Sequence, residues 1–404
     1  MLGAGLCQAE DATELDEAVD FDAVYKADVM SNVAGGIKRG TAVLGNLDLK
    51  LTLDAEKLLG WRGGSIFVQG LSSLGGKPNA DYAGTAQGID NIEAETNTAK
   101  LYQAWIQQVM WGDQASVLAG LYDLNAEFYV NDTASLFLHP SPGIGVELAQ
   151  TGLNGPSIFP TTSLALRAKV QPTPGLYLQG AVLDGVPGDP NNPHGTHIRF
   201  DKGDGVLVIA EAGYLSGNHG QVFLTDRDRD NKTTEPFGKF AVGVWRYSSK
   251  FDDLVDVDGA GDPLRRNNNR GLYVLAEQNL YHEADDSSQG LAAFLRYGVA
   301  NADINRFDQA LYVGAVYTGL IAGHDTDQLG VSLGIAHNGA KYRQAHAATE
   351  TTENEAGLEL TYRAQVTPWL AVQPNIQYII HPNTDPQLHN ATVIGVRFEV
   401  AMQH

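Results

Sequence analysis

Charged and amide side chains alternate with apolar residues in many short segments of this chain. In SLALRAKV, Arg167 and Lys169 occupy every second position among leucine, alanine and valine, and Glu359 and Arg363 do so in GLELTYR. Guanidinium groups, carboxylates and amides together donate and accept hydrogen bonds, as a ligand with many hydroxyl groups requires. The pattern therefore predicts a polar face that contacts a hydroxyl-rich solute.

The residues assigned to this polar face share one parity within their segments. They are Asp48, Lys50, Trp105, Gln107, Arg167, Lys169, Glu211, Glu277, Arg296, Glu359, Arg363 and Arg397. Trp105 has the parity of Gln103 and Gln107, so its ring is predicted to offer an apolar plate to the CH face of a sugar ring. Two alternatives stay open. The charges pair with one another and keep an interior wet, or Trp105 belongs to an aromatic girdle, as we interpret Trp245.

No constellation of catalytic residues accompanies these segments. The histidines fall mostly in predicted loops, neither HExxH nor GxSxG occurs, and the single cysteine, Cys7, cannot form an internal disulfide. Asp226, Asp228 and Asp230 have the spacing of a calcium loop but lack its glycine and its final glutamate, so we interpret them as a solvated turn. We predict a protein that is not an enzyme and that needs no cofactor or metal.

The elements that carry the polar face are β-strands. In NLDLKLTLD, four leucines point one way and Asp48, Lys50, Thr52 and Asp54 point the other, which is the period of a strand with one apolar face. We predict strands at 20–29, 46–54, 63–73, 100–111, 115–124, 163–171, 175–184, 205–216, 237–248, 271–281, 289–300, 308–319, 328–337, 356–366, 369–380 and 391–400. They number about 16, an even number, as bacterial single-chain membrane barrels have.

The connections between these strands alternate in length. Every second connection is mostly short, and the others, which include 30–45 and 125–162, are long. Outer-membrane barrels have short turns on the periplasmic rim and long loops on the opposite rim, so we expect both termini in the periplasm. Residues 217–236 are an exception, because this long connection falls on the short-turn side. It carries an insertion or hides a further pair of strands.

Length and composition agree with one large barrel. The 404 residues exceed a usual soluble core, yet no linker divides them. The formal charge of −21 excludes nucleic acid as a partner. No apolar run reaches the roughly 18 residues of a membrane helix, which alternating strands do not need. We therefore predict an all-β fold, a transmembrane antiparallel up-and-down β-barrel, as a single domain over residues 20–404.

Residues 1–19 form a separate N-terminal segment in this prediction. The small residues around Cys7 and Ala9 have the spacing of a cleavage site, so we interpret 1–9 as the remnant of a secretion signal. The alternative is an ordinary N-terminus. Residues 10–19, EDATELDEAV, predict a short acidic helix on the periplasmic side before the first strand.

Three sequence blocks resemble the carbohydrate-selective outer-membrane porins of the OprB family. They are AGLYDLNAEFY (119–129), GLYLQGAVLDGVPG (175–188) and WLAVQPNIQYIIHP (369–382), and the likeness covers nearly all of the chain from about residue 35. The resemblance implies a 16-stranded barrel through which sugars diffuse. It also implies a constriction lined by charged and aromatic side chains, which the long Gly- and Pro-containing loop 125–162 narrows by folding inward. Barrels of this type usually end on an aromatic residue, whereas here Phe398 lies six residues before the end.

The predicted function is facilitated diffusion of mono- or small oligosaccharides across a Gram-negative outer membrane. The expected partners are sugars, outer-membrane lipid, lipopolysaccharide and the barrel-assembly machinery, and the protein is expected to be a monomer or a homotrimer. Two alternatives stay open. One is a barrel for other small solutes such as organic acids, and the other is a soluble β-rich carbohydrate-binding protein or polysaccharide-active enzyme.

Overall fold

Sixteen antiparallel strands close into one barrel in the structure, a computed structural model that describes residues 18–217, 237–349 and 351–403. The first strand, Val19–Gly36, pairs with the second, Gly40–Asp54, on one side and with the last, His389–Gln403, on the other, which closes the sheet. The barrel strands are β1 (Val19–Gly36), β2 (Gly40–Asp54), β3 (Gly64–Gly75), β4 (Thr98–Met110), β5 (Ala115–Tyr122), β6 (Ser163–Thr173), β7 (Leu176–Asp184), β8 (Val206–Ser216), β9 (Gly238–Tyr247), β12 (Arg270–His282), β13 (Gly290–Ala300), β14 (Phe307–Thr318), β15 (Gln328–Asn338), β16 (Asn354–Thr367), β17 (Leu370–Ile380) and β18 (His389–Gln403). This confirms the predicted up-and-down barrel.

The other elements lie in the connections. Strands β10 (Phe251–Val257) and β11 (Pro263–Arg266) form a separate hairpin that the sequence did not predict. The helical pieces are Ala55–Leu59, Asn79–Ala83, Leu124–Ala126, Thr133–Leu136, Val146–Ala149, Ala340–Ala345, Ala347–Thr349 and Pro382–Thr384. In the described part of the chain, none of these helices has the length and apolar character to cross a bilayer.

The outer surface of the barrel is apolar because each strand alternates its two faces. In β8, Ile209 and Glu211 are buried inside the barrel, whereas Val208 and Tyr214 are 44% and 58% exposed on the outside. The same holds in β16, where Leu358 and Leu360 are exposed on the face opposite the charged residues. An apolar outer face on a closed barrel is the surface that a lipid bilayer covers.

The two rims differ as predicted. The start of β1 and the end of β18 lie on one rim, together with short connections such as 111–114, 174–175 and 368–369. The long connections 76–97, 123–162, 185–205 and 248–269 lie on the other rim. We call these the short-turn rim and the long-loop rim.

Some predictions concerning the connections are wrong, or lie outside the described residues. The expected long connection 30–45 is wrong, because the chain turns within 37–39 and Met30 pairs with Ala42. Glycines in this stretch lack the side chains that make a strand pattern visible. Val19, assigned to a helix, begins β1. Residues 1–17 and 218–236, with the predicted signal remnant, most of the acidic helix and the calcium-like aspartates, lie outside the described residues.

Two long loops fold into the barrel, and we call them loop 2 (76–97) and loop 3 (123–162). Loop 3 brings Leu124 and Phe128 into a buried apolar cluster with wall residues such as Leu207 and Leu275. The two loops also meet, since the backbone N–H of Asn91 donates to the carbonyl of a loop 3 residue. The main packed core of this protein therefore lies inside the barrel.

Candidate functional site

The backbone of loop 3 satisfies only part of its own N–H and C=O groups, through short helical turns and tight turns along an irregular path. Irregular backbone at membrane depth is stable only where protein or water provides partners for its N–H and C=O groups. The charged residues of the inner wall are the partners that this structure supplies. Their geometry defines the candidate site.

Two wall glutamates each hold a pair of consecutive N–H groups in loop 3. Glu277 on β12 accepts from the backbone N–H groups of residues 132 and 133 at 3.1 and 2.9 Å, one on each carboxylate oxygen. Glu359 on β16 accepts in the same way from residues 138 and 139 at 2.8 and 3.0 Å. Such hydrogen bonds to a carboxylate are stronger than bonds between neutral groups.

Glu211 on β8 joins the loop to three strands. Its carboxylate accepts from the backbone N–H of Tyr129 at 2.9 Å, from the hydroxyls of Tyr177 and Tyr273 at 2.7 and 2.6 Å, and from the Gln179 amide at 3.0 Å. Tyr129 also stacks on Tyr273, with ring centroids 3.9 Å apart. The whole group is buried and leaves this carboxylate well hydrogen-bonded.

Two glycines make room for these tyrosines. A Cβ atom at Gly213 would lie 2.2 Å from the ring of Tyr177, and one at Gly243 would lie 2.0 Å from the ring of Tyr273. Each tyrosine therefore lies flat across the neighbouring strand to reach Glu211. A side chain at either glycine position would block that approach.

Arg296 on β13 is the cationic counterpart of these glutamates. Its guanidinium donates to the carbonyls of Tyr129 and Gly143 at 3.1 and 2.9 Å, and also to the carbonyl of Ser141. The side chain is 1% exposed and lies over the ring of Tyr129, 4.8 Å from its centroid. One cation thus gathers three carbonyls from separate parts of loop 3.

A further ion cluster joins loop 3 to β6 through the loop residue Glu127. Arg167 donates to Glu127 at 2.8 Å, to Ser116 at 2.5 Å and to Gln107 at 2.6 Å. Lys169 lies 3.6 Å from the other Glu127 oxygen. The Glu127 side chain is 16% exposed, so the edge of this cluster remains open to solvent.

Loop 2 is held in the same manner by residues of β16 and β18. Glu355 accepts from the backbone N–H groups of residues 86 and 87 at 2.7 and 2.9 Å. Arg397 binds Asp28 at 2.6 Å and the side chain of Asn91 at 2.7 Å. Wall charges therefore hold both inward loops.

The inner faces of β2 to β4 show a different arrangement. Asp48 accepts from the amide of Gln69 at 2.8 Å, and Lys50 follows on the same face of β2. Trp105 stacks on Phe67, with ring centroids 4.9 Å apart and an interplanar angle of 24°. Asp48, Lys50 and Trp105 are half-buried.

A comparison with protein families identifies the molecule. The model of the family described as "Carbohydrate-selective porin, OprB family" matches residues 38–402. The chain belongs to this family. It is a sugar porin of the Gram-negative outer membrane and a channel rather than an enzyme, so the soluble-protein and enzyme alternative is wrong.

Individual relatives agree with this assignment. Porin B of Pseudomonas aeruginosa is 24% identical over 421 residues, which cover 95% of this chain and 88% of that protein. The high-pH structure of Pseudomonas putida OprB has a TM-score of 0.81 at 21% identity, covering 98% of this chain and 97% of that one. The low-pH structure of that protein has a TM-score of 0.60 at 19% identity, covering 99% and 98% of the two chains. These solved structures support the barrel fold.

Within this porin, the residues predicted from sequence fall into two groups. Asp48, Lys50, Trp105 and Arg363 are half-buried, and Arg363 pairs with Glu399 at 2.8 Å. The others are at most 6% exposed, and they are Gln107, Arg167, Lys169, Glu211, Glu277, Arg296, Glu359 and Arg397. All members of this second group belong to the contacts that hold loops 2 and 3. Contact of any of these residues with sugar stays a prediction.

The two tryptophans that the sequence left open are both inside the porin. Trp105 shares its face with the buried Gln107, as the plate hypothesis required. Trp245 is 2% exposed in the interior cluster, where it meets Tyr247 edge to face at 6.1 Å. Its interpretation as a girdle residue is wrong, because loop 3 creates an apolar interior at this depth that strand parity does not reveal.

Several residues of the site were missed from the sequence. Glu127 lies in loop 3, Asp28 lies on the inner face of β1 beside Arg397, and Glu355 begins β16. The parity rule would have found Asp28, because it lies within the predicted strand 20–29 and alternates with Val29. No local pattern marks Glu127, because it lies in a loop and its cationic partners lie on β6.

Proposed function

We propose that sugars cross this porin between loop 3 and the inner faces of β2 to β4, which we call the open wall. The observation that carries this proposal is the distribution of loop contacts. Glu211, Glu277 and Glu359 hold loop 3 against the remainder of the barrel. On the open wall, Lys100 and Gln103 bind only the two ends of loop 3, at the long-loop end of β4, and Asp48 and Lys50 stay half-buried. The free cross-section is therefore expected on the side of the open wall.

The chemistry of the open wall suits a neutral hydroxyl-rich solute. Asp48 can accept and Lys50 can donate hydrogen bonds. Trp105 stacks on Phe67 and packs against the edge of the interior apolar cluster, and we expect the exposed part of its ring to meet the CH face of a pyranose. Glu127 with its two cations lies near the end of this surface. Contacts that are individually weak allow a sugar to bind and to leave, as conduction requires.

The orientation and surroundings of the barrel are part of the proposal. We expect the short-turn rim and both termini in the periplasm, since porin-type barrels have their short turns there. We expect lipopolysaccharide and lipid around the apolar outer face, and insertion by the barrel-assembly machinery. Monomer and homotrimer are both compatible with this fold.

Liposome swelling with a panel of sugars tests the proposed path. Wild-type protein should admit mono- and disaccharides. Trp105→Ala should change the rate of sugar entry by a larger factor than it changes the conductance to small ions. Trp245→Phe is the matched control, because Trp245 is buried behind loop 3 and should leave sugar entry unchanged. Equal effects of the two variants would contradict the proposed path.

Reversal potentials separate sugars from organic acids as substrates. With signs mixed at Asp48, Lys50 and Glu127, we expect weak ion selectivity and partial block of the current by neutral sugars. A strongly anion-selective channel that sugars do not block would overturn the proposal in favour of organic acids.

A further inference from the structure

Three glutamates of the wall, one on β12 and two on β16, repeat one geometry. Glu277, Glu355 and Glu359 each place their two carboxylate oxygens on two consecutive N–H groups of an inward loop. We propose that Glu277 and Glu359 are positioning residues that set the aperture of the sugar path by fixing the two ends of loop segment 132–139. This inference rests on the proposed path along the open wall.

The two glutamates bracket one rigid piece of loop 3. Between them lies the helical turn Thr133–Leu136, and the segment packs through Phe137 onto Phe294 with ring centroids 5.8 Å apart. Glu277 is on β12 and Glu359 is on β16, so the segment lies across the strands between them. Its position relative to the wall is therefore defined at both ends by carboxylates, and in the middle by apolar packing and by the Gln373 amide, which donates to the carbonyl of Leu136 at 2.6 Å.

A carboxylate is the side chain that this geometry needs. Both oxygens of Glu277 accept, and so do both oxygens of Glu359. A glutamine at either position keeps one acceptor, but its NH₂ group then faces a backbone N–H, which is a contact between two donors. The substitution preserves shape and removes charge, so it weakens the attachment without creating a cavity.

The consequence for the path follows from what surrounds the loop. We call the attachments made by Glu277 and Glu359 the two clamps. When a clamp is lost, water in the lumen can satisfy the freed N–H groups, so the segment becomes more mobile while the hydrogen bonds between the barrel strands stay intact. Segment 132–139 then occupies a range of positions instead of one. The aperture between loop 3 and the open wall becomes larger on average and less uniform.

The test compares Glu277→Gln, Glu359→Gln and the double variant with Glu283→Gln. Glu283 lies in the β12–β13 turn on the short-turn rim and accepts from the Tyr317 hydroxyl at 3.0 Å, so it controls for the chemical change alone. Hydrogen exchange should show the amides of residues 132 and 133, or 138 and 139, exchanging about tenfold faster in the matching variant. Retention of the heat-modifiable gel band shows that the barrel is folded.

The functional measurement is the ratio of trisaccharide to monosaccharide entry in liposome swelling, together with the size of polymer that enters the channel. We expect the ratio and the polymer limit to rise in each clamp variant, to rise further in the double variant and to stay at the wild-type value in Glu283→Gln. Faster exchange with an unchanged ratio and polymer limit would overturn the inference. Unchanged exchange would overturn it as well.

The design distinguishes this inference from the proposed function. If the wild-type protein admits no sugar, the proposed function fails, whatever the clamp variants do. If the wild-type protein admits sugars and Trp105→Ala alters their entry, the proposed function stands, and the clamp variants alone decide the role of Glu277 and Glu359.

Discussion

Two regions of the inner wall carry charged residues of the same types and use them differently. On β8 to β16, Glu277, Arg296 and Glu359 are buried and form hydrogen bonds mainly with the backbone of loop 3, and the buried Glu211 binds one loop N–H together with three wall side chains. On the open wall, Asp48 and Lys50 of β2 are half-buried, and Asp48 accepts from the side chain of Gln69 instead. Residue type alone does not separate the two regions.

The difference shows that charge inside a barrel serves two purposes. A loop that enters the lumen brings N–H and C=O groups that need partners, and fixed wall charges provide them where water is displaced. Only the charges that no loop covers remain for the solute. The location of the loop therefore decides which polar residues form the path.

The largest effect is expected for Arg296→Met, which removes the guanidinium that gathers three loop carbonyls. Because charge-assisted bonds contribute about 1.5–3 kcal/mol each and are not additive, we expect the free energy of unfolding to fall by about 3 kcal/mol or more. Urea unfolding in lipid vesicles measures this. Arg363→Met should cost only about 1 kcal/mol, since its pair with Glu399 is partly solvated. Equal losses would show that holding loop 3 adds nothing to what Arg296 contributes to stability.

Glu127→Gln is expected to have the next largest effect. The substitution leaves the charges of Arg167 and Lys169 without their carboxylate at the edge of the path, so the channel should shift toward anions. Reversal potentials in a salt gradient measure the shift, which should shrink at about 1 M salt because the Debye length is then only about 3 Å. Glu353→Gln, which changes an exposed ion pair on the long-loop rim, is the control. A shift that does not depend on salt would contradict this electrostatic explanation.

A smaller shift of opposite sign is expected for Lys50→Gln. Lys50 is half-buried on the open wall, so removal of its charge should make the channel slightly more cation-selective while leaving stability nearly unchanged. The matched control is Lys57→Gln, in the short helix Ala55–Leu59 at the rim. If Lys50→Gln destabilised the protein as much as Arg296→Met, Lys50 would belong to the loop-holding wall.

The smallest effect concerns the long-loop rim, where Lys341 and Arg266 bind Asp253 at 2.7 and 2.8 Å. Burial raises the pKa of Asp253, but hydrogen bonds from Lys341, two backbone N–H groups and Arg266 outweigh it and hold the pKa well below its usual range. Because the pKa of Asp253 is lower in the folded protein, this carboxylate stabilises the fold fully above its ordinary pKa of about 3.9. The stabilisation is lost as the pH falls through the pKa of Asp253 in the folded protein.

Hydrogen exchange of the β10–β11 hairpin, corrected for intrinsic rates, measures this effect between pH 7 and pH 3. We expect protection to decrease below about pH 4, because Asp253 in the opened hairpin has its ordinary pKa and begins to bind a proton there, whereas Asp253 in the folded hairpin does not. Lys341→Met should show reduced protection already at neutral pH, because one of the partners of Asp253 is missing. A hairpin equally protected at both pH values would show that apolar packing holds it instead.

Most of the barrel could be predicted from the sequence, because strand periodicity is a local property. All the predicted strands overlap observed ones, and the errors are local too. The turn at 37–39 was missed where glycines dilute the pattern, and β11 was missed because Pro263–Arg266 is short and charged. Trp245 was assigned the wrong environment, because loop 3 contributes residues such as Leu124 and Phe128 to the apolar cluster that contains it, which its own strand does not reveal.

The sequence by itself determined the barrel, its apolar outside, its two unequal rims and its membership of a sugar-porin family. It did so because alternation, turn spacing and the three blocks that resemble the family are properties of neighbouring residues. Only the tertiary structure decided which charges hold a loop and which line the path. Glu359 and the N–H it binds in loop 3 are 221 residues apart, and nothing local encodes that contact.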